Sequence, residues 1–340
     1  MSRTRKRLLL VAKTVVAIAL IAGVGWHFRK LLTSEDLAQH TLTLRFEYLL
    51  PAGLLYLGAH TVWGTFFVQL MRYEGAAVAW LTGVRAYFVS QFGKYVPGKA
   101  WVLLLRVMLL RRVGVHPAVV GVTATYETLT SMAAGAVLGV CLLPWTGFGD
   151  RVEEKVGPAI WFGLAAVAGL PLVLGVLNRV AARIVHKRRG PDARPLPSPS
   201  VGLLARGLLQ DSLGWCLLGL SLWATVQGVA PRPAGLGGDA FLQCLAAVTV
   251  SYVAGFVIVV SPGGLGAREA VLLILLTGPL RETAGEALAA PLAAVVAIVL
   301  RLVWTAFEVG WALMLYWLAR PARVRHVAPV PVAADGGGHV

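Results

Sequence analysis

Residues Ser261-Pro-Gly-Gly-Leu-Gly-Ala-Arg-Glu269 interrupt a hydrophobic region with a proline, three glycines and an adjacent pair of opposite charges. Proline removes a backbone donor and glycine weakens a helix. A chain carrying this stretch at membrane depth must therefore satisfy its backbone with other protein groups or with water lining a cavity. Composition says that membrane depth is the right setting. The 340 residues are 57% hydrophobic and 14% charged, with a mean hydropathy of +0.73, which excludes a water-soluble globular protein. The expected fold class is an all-α polytopic membrane helix bundle, and the interruption marks a candidate site.

On either side of it, apolar runs of the roughly 20 residues that a crossing needs lie near 8–26, 47–70, 117–143, 157–177, 207–230, 240–260 and 287–318. Two further apolar segments, 80–112 and 262–280, are broken by Gly, Pro and charge. Lys and Arg are retained on the cytoplasmic side. That rule places the basic N-terminus, the cluster Lys94–Arg112, the loop Arg179–Arg206 and the tail Arg320–Arg325 there, so both termini are expected to be cytoplasmic and the host to be the cytoplasmic membrane. The loop with Asp150, Glu153 and Glu154 falls outside. These sides are consistent with about eight crossings if 80–112 is a re-entrant hairpin and 262–280 makes one short or broken crossing. The basic start followed by Leu8–Trp26 is expected to be an uncleaved first helix rather than a signal peptide.

The proline-rich stretch Gly190–Ser200 reads as a flexible linker. It divides a membrane domain over 1–320 into halves 1–189 and 201–320, followed by a disordered tail, 321–340. Each half contains one interrupted segment followed by a long helix with a buried charge: Lys94-Tyr-Val-Pro-Gly-Lys-Ala-Trp101 before Glu127, and the 261–269 segment before Arg301. Broken segments at corresponding places in two halves point to a transporter site built from structural repeats.

The net charge of +15 comes without a basic soluble domain, so the anionic inner leaflet, not nucleic acid, is the expected partner. Cys141, Cys216 and Cys244 lack paired spacing, and the seven histidines are scattered without metal spacing. No disulfide framework, metal, cofactor or nucleophile constellation is expected. Most of the eleven tryptophans are read as an aromatic belt near span ends.

In the first interrupted segment, Lys94 and Lys99 flank Pro97-Gly98 and are followed by Arg106. Glycine lets backbone N–H groups approach an anion and lysine adds a point charge, which suits a lipid phosphate. The lysines also fit a second role, snorkelling to the interface as anchors. The second segment offers Pro262, Gly263, Gly264, Gly266, Arg268 and Glu269. Because residues adjacent on a helix do not face each other, Arg268 and Glu269 are expected to have different partners, with Glu308 and Glu127 as candidates for Arg268. Glu127, Arg301 and Glu308 lie in apolar surroundings, where a charge costs roughly 2.5–3.5 kcal/mol, and form a candidate polar track or structural ion pairs between helices. Arg301 and Glu308 share a helix face with Trp304 between them. Asp211, beside Gln210, reads as a boundary residue near the cytoplasmic end.

The phrase Ser261–Glu269 with the Arg301 helix after it, and Tyr95-Val-Pro-Gly-Lys99 followed by Arg106 and the Glu127 helix, together resemble the transmembrane-region family of lysylphosphatidylglycerol synthases, also called the flippase-like domain. The resemblance covers nearly the whole chain. It implies a bundle of eight or more helices that moves lipids between leaflets, with the family's cytosolic aminoacyltransferase domain expected to be missing and no enzymatic activity. Where the family often follows the first-half glutamate with Arg and later Asp, Glu127 is followed by Thr128, which leaves its partner open. The expected function is translocation of an anionic phospholipid or a polyprenyl-phosphate-linked lipid. The rivals are an accessory subunit for an envelope glycosyltransferase and an intramembrane enzyme acting on a lipid phosphate.

Overall fold

The computed structural model describes residues 44–95, 100–142, 199–230, 240–257 and 266–318, with Trp26, Arg29, Lys30, Thr33 and Gly237. Helix α1 spans Phe46–Tyr73 and α2 Trp80–Ser90, the latter continued by a 3-10 turn, Gln91–Tyr95. Then come α3 (Ala100–Arg111), α4 (Pro117–Leu142), α5 (Val201–Val229), α6 (Phe241–Val257), α7 (Ala267–Ala284) and α8 (Glu286–Leu318). The described residues are all-helical, without strands. Helices α1, α5 and α8 are long and apolar enough to cross a bilayer, and α6 is a shorter apolar helix. The expected span 8–26 apart from Trp26, the span 157–177, the linker before Pro199 and the tail 321–340 lie outside the described residues.

Small residues set the central packing. On α5, Gly207, Gly214, Ser221 and Gly228 recur every seven residues, the spacing that keeps one stripe against a neighbouring helix. A Cβ at Gly207 would lie 2.2 Å from Phe66, at Gly214 2.2 Å from Trp63 and at Gly228 2.8 Å from Leu49. Rising numbers on α5 meet falling numbers on α1, so the two helices pack antiparallel. Ser221 Oγ donates to the Ala52 carbonyl at 2.7 Å and accepts from Trp304 Nε1 at 2.8 Å, which ties α8 to the same seam.

Two arginines satisfy carbonyls that helix ends leave without partners. Arg45 donates to Gln227 and, at 2.8 Å, to Ala230 at the end of α5. Arg85 donates to Leu315 at 3.0 Å and Tyr316 at 3.2 Å near the end of α8.

Segment 80–112 folds as a pair of short helices packed on each other. With 11 and 12 residues, each reaches about 17 Å at 1.5 Å per residue, roughly half the hydrocarbon thickness. Gly93 allows the close return: a Cβ there would lie 2.4 Å from the Val102 nitrogen. The second interrupted segment, expected to make one short or broken crossing, is from Ala267 onward a single helix of 18 residues that contains Pro279. Gly266 adopts φ +86 and Gly285, at φ +84, separates α7 from α8 with a single residue.

Candidate functional site

A cavity of about 410 Å³ opens among α1, α2, α3, α4, α6, α7 and the 3-10 turn. Lys94, Arg106 and Glu127 line it from the first half of the chain and Arg268 from the second, between aromatic walls that include Trp63, Tyr87 and Tyr252. Positions from both interrupted segments therefore meet at one space.

Each cation is held differently. Arg106, buried on α3, donates to Glu127 Oε2 at 3.2 Å and to Ser90 Oγ at 3.1 Å. Its guanidinium lies 4.7 Å from the Phe67 ring centre and 4.4 Å from that of Tyr87. Lys94 reaches from the 3-10 turn to Glu308 on α8, a carboxylate that also accepts from Tyr56. Arg268 lies over Tyr252 at 4.4 Å and Trp304 at 5.1 Å, stacked in the manner that favours a weakly hydrated guanidinium. Gly255 permits this approach, since a Cβ there would sit 3.1 Å from Arg268 Cβ.

The partner expected for Arg268 is not the one found. Glu308 is engaged by Lys94, and Glu127 by Arg106, which supplies the partner that the sequence left open. Arg268 instead has an ion contact at 3.7 Å with its neighbour Glu269. That carboxylate folds back to cap α7, accepting from the Gly266 N–H at 2.8 Å, and its other oxygen accepts from Arg301 at 2.8 Å. Capping brings the carboxylate to the start of the helix, where adjacent side chains can meet. Arg301 and Glu308 thus share a helix but serve different partners. Pro97, Gly98, Lys99, Pro262, Gly263 and Gly264 lie outside the described residues.

Asp211 is not a boundary residue. It is fully buried inside α5, and neither carboxylate oxygen has a hydrogen-bond partner. The periodic small residues of α5 draw α1 over it, with Trp63 Nε1 donating to its backbone carbonyl at 3.2 Å. His60 lines the cavity with both ring nitrogens unpartnered, stacked edge-on against Tyr56 and Trp63. The belt assignment also fails for Trp63, Trp215 and Trp304, which are buried and donate internally. Tyr252, which carries Arg268 together with Trp304, was missed; its mid-run position, away from span ends, was the available signal.

The model of one family, the transmembrane region of lysylphosphatidylglycerol synthases, matches residues 13–303. The chain belongs to that family. Among the curated proteins none matches it. The family match makes this a membrane protein and covers every residue lining the cavity, from His60 to Arg268. The cavity presents cationic and aromatic side chains to one space.

Proposed function

We propose that this protein binds the anionic headgroup of a membrane lipid in the cavity and moves that lipid between leaflets. One observation carries this: among the described residues, Arg268 faces the cavity with a single carboxylate at 3.7 Å, Glu269, which it shares with Arg301 and the Gly266 N–H. Lys94 is matched by Glu308, Arg106 by Glu127, and Arg301 by Glu269, whose second oxygen caps Gly266. A buried guanidinium whose one carboxylate is distant and shared is a standing attraction for a phosphate. The volume of about 410 Å³ lies in the range of small-ligand sites and suits a headgroup whose acyl chains remain in the bilayer. An anionic phospholipid and a polyprenyl-phosphate-linked lipid share this chemistry.

The test is leaflet exchange by the purified protein in vesicles carrying fluorescent phosphatidylglycerol, phosphatidylcholine or polyprenyl phosphate. Exchange of the anionic lipids should exceed that of phosphatidylcholine and be lost in Arg268→Ala. Exchange equal to protein-free vesicles across the whole panel overturns the proposal.

A further inference from the structure

The α4–α5 seam beside the cavity holds a carboxyl that the headgroup site does not use. Asp211 has no exposed surface, and both of its oxygens lack a hydrogen-bond partner. On α4, which packs against α5, the hydroxyls of Thr130 and Ser131 are buried without partners as well, and Ser131 also lines the cavity. Among the described residues no cation answers Asp211 from any neighbouring element. From α4 the charge of Glu127 reaches it, and Tyr87 on α2 lies within its own reach. On α1, His60 stacks on Trp63, whose indole is turned to the Asp211 backbone rather than its carboxyl. On α6, Tyr252 packs on Trp215, one turn along α5. Arg106 on α3 donates to Glu127, Gln210 is directed to the Val62 carbonyl, and Arg206 on the same helix is exposed.

An ionised carboxylate in that setting would be desolvated, unpaired and beside a second negative charge, whereas a proton removes the charge and leaves only the smaller cost of a buried neutral carboxyl. We propose that Asp211 is a proton-binding site, that the arrangement seen here is its proton-loaded form, and that release requires the α4–α5 seam to admit water past Ser131. On release the proton passes from the carboxyl oxygen to that water. The coupling to lipid rests on the headgroup site proposed above. With the proton in place, Asp211 adds no negative charge beside Glu127, so Arg268 is left to draw an anion; ionisation of Asp211 opposes it. Anion binding and proton loading are therefore favoured together.

Infrared spectroscopy of the protein in nanodiscs tests the first part without any lipid movement. The carbonyl band of a protonated carboxylic acid should be present near neutral pH and weaker in Asp211→Asn, where Glu74 still contributes to it; a band of unchanged strength in that variant overturns the assignment. If Asp211→Asn does not accumulate, Asp211→Glu, which keeps the carboxyl but displaces it, should shift the band. Phosphatidylglycerol binding, followed by tryptophan fluorescence over a pH series, tests the coupling. Affinity should fall as pH rises in the native protein and stay at its low-pH value in Asp211→Asn. An identical pH slope in both overturns the coupling. Binding that is equally poor in the native protein and Arg268→Ala at every pH overturns the headgroup site and the coupling with it, while the infrared band still decides whether Asp211 carries the proton.

Discussion

Arg106 and Arg268 line one cavity from opposite halves of the chain, both buried and both stacked on two aromatic rings, yet they differ in what balances them. Arg106 has Glu127 and Ser90 within hydrogen-bond distance. Arg268 has a single carboxylate at 3.7 Å, and that group already serves Arg301 and the cap of α7. Residue type and depth are the same, so the difference lies in counting partners. A saturated buried arginine is a structural element, and an unsaturated one facing a cavity is a place for something else to bind.

The comparison predicts opposite failures. Arg106→Ala should be the most damaging change, because it strands Glu127 in the bundle; removing one member of a buried pair typically costs about 3–5 kcal/mol. Thermal unfolding in detergent should show a large drop, partly recovered in Arg106→Ala/Glu127→Gln, which takes away the stranded charge. Full stability of Arg106→Ala would show that the pair is not structural. Next in size is Gly93→Ala, which disturbs the hairpin that delivers Lys94 without touching either arginine. Its Cβ would meet the backbone of α3 at 2.4 Å, and such overpacking costs about 1–3 kcal/mol. The same melts should place this variant between Arg106→Ala and the native protein.

Much of this arrangement was readable before the structure, and the unreadable part has a physical cause. Apolar run lengths located α1, α4 and α8 to within about three residues and the start of α5 to within six, because a bilayer demands long uninterrupted helices. A hairpin over 80–112 was expected from counting crossings from a cytoplasmic start, and two short helices packed on each other occupy that segment. Pairing was the part out of reach. Whether Glu127 meets Arg106 or Arg268 depends on rotation of the helices about their axes, which hydropathy does not encode in helices that are apolar all round. Asp211 was misplaced for a related reason: nearness to a basic loop suggested an interface, whereas the repeat Gly207, Gly214, Ser221 and Gly228 assigns that stretch of α5 to a close helix contact. The repeat was visible in the sequence and was the better guide.

Arg268→Ala is the prediction that separates the two arginines most directly. It removes stacking on Tyr252 and Trp304, worth about 0.5–2 kcal/mol, and strands no carboxylate, since Glu269 keeps Arg301 and the Gly266 N–H. Stability should therefore change little while exchange of anionic lipids is lost. A melt as low as that of Arg106→Ala would erase the distinction between the two residues.

Glu74 supplies the smallest effect and the sharpest control. It is the capping residue at the end of α1, its two carboxylate oxygens are buried without partners, and it lies outside the cavity. Burial pushes its carboxyl from 4.5 up to about 7, and the negative end of the helix adds to the cost of its charge. Between those values the folded state holds a proton that the unfolded state has given up. The stability this contributes is complete below 4.5, declines as pH rises through about 7 and stays absent above it. Glu74→Gln should consequently melt a few degrees above the native protein in mildly alkaline buffer and with it in acid. Leaflet exchange should be unaltered. If Glu74→Gln instead abolished exchange as Arg268→Ala is expected to, an unpaired buried charge anywhere in the bundle would suffice, and the cavity would lose its claim to be what makes Arg268 a binding residue.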